Sequence, residues 1–243
     1  MRRMPLIAAV AFAVLSVLAV IVVPLGPGID QPGSEVVDHL STYGGAVRVR
    51  ALLGALALLA LVVVVGYARE RLEGAAGHIF VVGAALLAAQ VVVHLGLTAG
   101  LALHASSLDP PTARTVADVA AMWGPLLTVA GLLLAGPVIW AARESRFPRW
   151  LGTVAAVFAV EQLVGMLTII GPAGSFIAPA GPMSDFLGGG LFLGFLCALG
   201  FATALPSRVG AATAADTVPT AGFRPESSSV SVTRTDITDA MTD

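Results

Sequence analysis

The chain has no lysine and one cysteine, and only 12% of its residues are charged. A soluble domain carries roughly 25% charged residues. With so few, this chain cannot present a wetted surface, and lipid is the solvent that fits it. The absence of lysine leaves arginine as the source of all 13 positive charges. With the Ala, Val, Leu and Gly bias, this is the composition of a high-GC genome. A net charge of −2 offers no basic field, which argues against nucleic acid as a partner. Cys197 alone permits neither an intramolecular disulfide nor a cysteine-based metal site, and reads as small apolar filler.

Soluble-type catalytic motifs are missing too. There is no Gly-rich phosphate loop, no G-x-S-x-G and no H-E-x-x-H. No internal repeat signals the paired halves of many secondary transporters. The histidines are His39, His78, His94 and His104, and only His94 is deep in an apolar run. No facing pair exists to hold haem, and no carboxylate–histidine group has metal-ligand spacing on one helix. The expectation is a chain without a cofactor.

Long hydrophobic runs dominate what is present. Hydrophobic residues make up 57% of the chain, and the mean hydropathy is +0.91. A spanning helix needs roughly 20 mostly apolar residues. Six stretches qualify, at about 5–25, 46–67, 78–101, 119–141, 150–170 and 186–205. Helix satisfies every backbone hydrogen bond within the segment, which lipid requires. The first run follows Arg2-Arg3 but is long for a cleaved leader, and no small-x-small site closes it. We read it as the first span.

The connections alternate in charge. Arg2, Arg3, Arg69, Arg71, Arg143, Arg146, Arg149 and Arg208 fall on one side, against Arg48, Arg50 and Arg114 on the other. The positive-inside rule then predicts both termini in the cytoplasm of a bacterial cell. Trp140, Trp150 and Tyr67 fall at the inner interface of this scheme, Trp123 and Tyr43 near the outer one.

In the first outer connection, Ser34 is placed to cap a short helix through Leu40, with Val36, Val37 and Leu40 on one face. It is expected to lie along the membrane surface or over the bundle mouth. Asp109-Pro110-Pro111 stops the third span, and Thr115 or Asp118 begins the next helix. The connection over 171–185 is read as an ordinary loop, with a dip into the bundle as the alternative. From 206 onward Ser, Thr, Ala, Pro and Asp dominate, which predicts a disordered cytoplasmic tail over 206–243 with phosphorylatable hydroxyls at Ser227–Ser229, Thr235 and Thr238. The predicted fold is thus an all-α membrane protein: a six-transmembrane-helix bundle over 1–205, a short outer surface helix and that tail.

Polar groups at membrane depth need a partner or a purpose. Glu161 and Gln162 lie mid-way along the fifth span; Gln90 and His94 share a face of the third. Gln90 and Glu161 both sit ~17 Å from the inner end of their helices. Where the third and fifth spans touch, Glu161 meets Gln90 or His94, as a proton relay, a ligand-coordinating group or a structural pair between helices. Gly96-x-x-x-Gly100 and Gly190-x-x-x-Gly194 permit close helix approach, within the chain or between copies. Pro125 and Pro137 predict kinks in the fourth span.

Two stretches carry a resemblance. One is Ser34-Glu35-Val36-Val37-Asp38-His39-Leu40 leading to Arg48; the other is Arg143-Glu144-Ser145-Arg146-Phe147-Pro148-Arg149-Trp150-Leu151-Gly152. Together they resemble uncharacterised actinobacterial multi-pass membrane proteins. That family has no established activity, so the resemblance implies the six-helix architecture and no site residue.

Three functions remain open to the sequence. The first is a non-enzymatic membrane component that contacts other membrane proteins, a second copy or envelope machinery. The second is a small proton-coupled transporter using Glu161 and His94. The third is a lipid-modifying membrane enzyme, for which no nucleophile or metal constellation is present.

Overall fold

The computed structural model describes residues 3–205, with Asp185 described by its backbone alone. The expected tail and its hydroxyls lie outside the described residues. Helices α1 (Met4–Ile21), α2 (Gly33–Arg69), α3 (Gly74–Leu101), α4 (Pro110–Arg143), α5 (Arg149–Met166) and α6 (Gly189–Ala204) follow in order. A 3-10 turn, Leu167–Ile170, extends α5, and a π-helical turn, Met183–Gly188, leads into α6. All described regular structure is helical, and six helices are long and apolar enough to cross a membrane.

α4 is the central element, packed against α3 on one side and α5 on the other. α1 lies against α2 and α6. The core is built of many small side chains, with Ala57, Ala130, Ala135, Ala155 and Ala202 all buried. Aromatic bulk is concentrated where α5 meets α6: Phe158 stacks on Phe195 with ring centroids 4.7 Å apart. Outward faces carry exposed Val, Leu and Ile on every helix from α1 to α5, and Phe201 on α6.

Two sequence expectations are corrected at helix ends. The short surface helix is not separate. It forms the first turns of α2, which runs unbroken for 37 residues, ~55 Å. Gly44-Gly45 does not interrupt it, because Val36, Leu40 and Val47 continue one buried stripe against Val23, Ala102 and Ala113. Nor does α4 wait for Thr115 or Asp118. Asp109 is its N-cap, accepting a 3.0 Å hydrogen bond from the Thr112 amide, and Pro110 occupies the first turn, where its missing N–H is no loss. The same bond holds the Asp109 carboxyl below the usual carboxylate range. This earlier start moves Trp123 inward: its indole N–H donates to the Gln90 carbonyl at 2.8 Å, between helices and away from either end. α4 continues as helix through both Pro125 and Pro137.

The arginine-rich end has a structural role. Arg71 donates to the carbonyls of Ala202 (3.0 Å), Thr203 (2.7 Å) and Leu205 at the end of α6, where carbonyls run out of helical donors. Its guanidinium lies 5.8 Å from the Phe147 ring centroid. Arg146 bridges Glu73 and Glu144, each at 3.0 Å. In the α4–α5 turn Ser145 has φ 63°, the Arg146 amide bonds back to Ala141, and Gly152 lets α5 cross close over Ala142.

The glycines that seat helices are not those of the two G-x-x-x-G pairs. Gly96, Gly100, Gly190 and Gly194 are exposed, with no atom near where a Cβ would stand. The close contacts inside the chain fall instead at Gly200 against Ala9, Gly83 against Leu133 and Gly54 against Leu95. Gly200→Leu is therefore expected to cost about 1–3 kcal/mol by overpacking, seen as a lowered Tm in detergent, while Gly194→Leu leaves Tm unchanged. Arg71→Ala is expected to lower stability by about 1–3 kcal/mol, because the α6 carbonyls lose their donor. Thermal unfolding followed by circular dichroism checks this; an unchanged Tm would remove the clasp from the account.

Candidate functional site

A cavity of about 480 Å³ enters the bundle between helices, within the usual range for small-molecule sites. It begins at the end that carries the α1–α2, α3–α4 and α5–α6 connections and runs toward mid-bundle. On α3 its lining extends from Leu101 to Leu87, and on α4 from Arg114 to Gly131, so it is ~20–25 Å long. A compact cavity of that volume would be roughly 10 Å across, so this one is a slot.

The mouth is cationic. His39 and Arg50 reach it from α2, Arg114 from α4. Arg114 is fixed by an ion pair with Asp118 and by hydrogen bonds to the carbonyls of Gly28 (2.9 Å) and Gln31 (3.3 Å). These hold the α1–α2 connection over the slot. Its Nε is buried without a partner. Arg50 makes no ion pair or side-chain hydrogen bond with any described residue.

Half-way down stands His94, whose Nδ1 is buried and unpartnered. The walls around it are apolar, formed by Leu87, Val91, Leu127 and Phe192. Ala121 and Pro125 also line the slot; Pro125 has no N–H, so the Ala121 carbonyl lacks its helical donor.

The floor is Glu161 and Gln162, 7% and 8% exposed. The Gln162 amide donates to the Glu161 carboxyl at 2.6 Å. Three glycines make room for them. A Cβ at Gly131 would overlap the Gln162 amide, one at Gly188 would stand 2.9 Å from Glu161 Oε1, and one at Gly165 3.6 Å from the same oxygen. Gly188 ends the π-helical turn, a distortion frequent at functional sites.

No family model, curated protein or solved structure matches the chain. The site is therefore read from its own geometry.

Of the four polar residues singled out by the sequence, Glu161, Gln162 and His94 line this one cavity. Gln90 does not. Its amide donates to the Leu126 carbonyl at 3.1 Å and it ties α3 to α4. The expected meeting of Glu161 with Gln90 or His94 does not occur, because α4 lies between α3 and α5. The partner of Glu161 is its own neighbour in sequence. Arg50, Arg114 and the three glycines were not foreseen as site residues. Arg50 had a visible signal: it lies inside the apolar stretch 46–67, where a charge demands a purpose. The glycines had none, since their role depends on which helix faces them. The 171–185 connection joins the site in part, with Ala180 on the lining and Ala178 buried, while Phe176 is 62% exposed.

Gly131→Val is expected to displace Gln162 from Glu161 and to destabilise the chain by about 1–3 kcal/mol. Gly136→Val, on the same helix with nothing near its Cβ, is expected to leave Tm unchanged. Equal Tm for the two variants would show that the floor is not tightly packed.

Proposed function

We propose that this chain is a small multi-pass membrane carrier that admits a small molecule to the slot and couples its binding to a proton held at Glu161. The exposed aliphatic faces of the helices support lipid as their solvent. The arginine bias supports a bacterial cell membrane, with cytoplasmic termini and the slot open to the outside. The carrying observation is Glu161 itself: a buried carboxyl on the floor of a cavity, bonded only to a neutral amide among the described residues. An unpaired buried carboxylate is costly, whereas a carboxyl that exchanges a proton as a ligand comes and goes has a use for that position.

The open glycine faces of α3 and α6 favour a second reading, in which the chain also meets another membrane protein or a second copy of itself. It is compatible with the first. A lipid-modifying enzyme gains no support, since no nucleophile–base arrangement lines the slot among the described residues.

The test is proton movement in proteoliposomes loaded with a pH-sensitive dye. Substrate-driven acidification is expected with the wild type and is expected to fall to background in Glu161→Gln, which keeps shape and hydrogen bonding but cannot ionise. Equal acidification by wild type and variant would end the carrier reading.

A further inference from the structure

We infer that the slot takes an anionic amphiphile, its charged headgroup among Arg50, Arg114 and His94 and its hydrocarbon chain running down toward Glu161. The inference rests on the carrier reading and adds the ligand class to it.

Three nitrogen-bearing side chains line the upper slot, from Arg114 at the mouth to His94 half-way down. Arg50 is free of ion pairs and side-chain hydrogen bonds with the described residues, and Arg114 Nε and His94 Nδ1 are buried and unpartnered. Unsatisfied buried polar atoms are few in native structures, and each calls for an explanation. For the two buried atoms, Arg114 Nε and His94 Nδ1, a bound oxyanion supplies acceptors, and Arg50, exposed on the same lining, adds an unpaired positive charge. Asp118 balances Arg114, so the uncompensated charge is that of Arg50.

Below this level the chemistry changes. Leu87, Val91, Leu127 and Phe192 offer a hydrocarbon surface with no donor or acceptor side chain. From His94 down to Leu87 the lined length of α3 is ~10 Å, room for a medium-length alkyl chain. Glu161 is the one carboxyl on the lining among the described residues, and it lies at the far end. A lipophilic cation would have to pass Arg50 first. An anion is drawn to the mouth, and with one proton on Glu161 the loaded slot gains no net charge. Fatty carboxylates and anionic phospholipids share this chemistry.

The experiment measures saturable binding of radiolabelled dodecanoate to the full chain in phosphatidylcholine nanodiscs, with empty nanodiscs subtracted. Dodecanoate is expected to bind, dodecanol and dodecyltrimethylammonium to compete poorly, and Arg50→Gln to weaken binding about tenfold or more. Arg50→Lys is expected to restore most of it, which separates lost charge from lost folding. Replacing part of the phosphatidylcholine by phosphatidylglycerol separates the sources: competition that depends on Arg50 assigns the site to a phospholipid headgroup, and no competition assigns it to the free carboxylate. Equal binding by wild type and Arg50→Gln, or dodecanol competing as well as dodecanoate, would overturn the ligand class. Arg50-dependent binding in a protein whose Glu161→Gln variant still acidifies the liposomes would support the ligand class while the carrier reading fails. Glu161-dependent acidification without Arg50-dependent binding would overturn the ligand class alone.

Discussion

Six helices long and apolar enough to cross a membrane, with aliphatic side chains on their outer faces, set the terms of this structure. When the solvent is as apolar as leucine, burying leucine gains little, and helix association depends on close fit and on the few polar groups available. That accounts for a core rich in alanine and for helices seated on glycine. It also accounts for clasps such as Arg71 on the end of α6, where one guanidinium bonds several carbonyls of the last turn. In a water-soluble bundle, side-chain volume does more of this work.

The same constraint explains why α4 sets the geometry of the site. It carries Gly131 toward α5 and a small-residue face toward the slot, with Ala117, Ala120, Ala121 and Gly124 all on the lining. Small residues on a central helix allow its neighbours to approach at one level and leave a gap at another. At the Gly131 level the gap closes on Gln162, which makes the floor. At the Arg114 level it opens, with the α1–α2 connection tied above it. Pro125 lies between the two levels and leaves the Ala121 carbonyl without its helical donor.

How much of this could be read from the sequence follows from which interactions are local. The six apolar stretches are each visible within about 20 residues, and all six appear as helices. Helix ends were harder to place. Asp109-Pro110-Pro111 reads as the stop of one helix, and in the structure it is also the cap and first turn of the next. The helix after Ser34 reads as short and separate, but the buried stripe through Val36, Leu40 and Val47 carries it on through Gly44-Gly45, two weak helix formers. Packing glycines could not be told from spacing: Gly96 and Gly100 have the recognised interval and face outward, whereas Gly131 and Gly200 have no partner glycine at that interval and carry close contacts. The site was half legible. Glu161 and His94 stood out as polar groups at membrane depth and do share a cavity, but their supposed contact required a helix adjacency that α4 prevents.

The distance between the two ends of the slot decides how they can communicate. Opposite charges ~20 Å apart attract by only ~1 kcal/mol at an effective dielectric constant of about 20. Arg50 at the mouth therefore has little direct hold on the charge state of Glu161 at the floor. An oxyanion ~4 Å from a guanidinium gains about five times as much under the same conditions. Any coupling between mouth and floor must then travel with the ligand. In the proposed complex the headgroup would be held locally by the basic residues, while the chain would displace water from the walls above Glu161. Drying the floor would make a lone carboxylate there costlier. On this account the apolar middle of the slot, which carries no charge at all, links proton and anion, and the length of hydrocarbon that fills it sets how strongly they are linked.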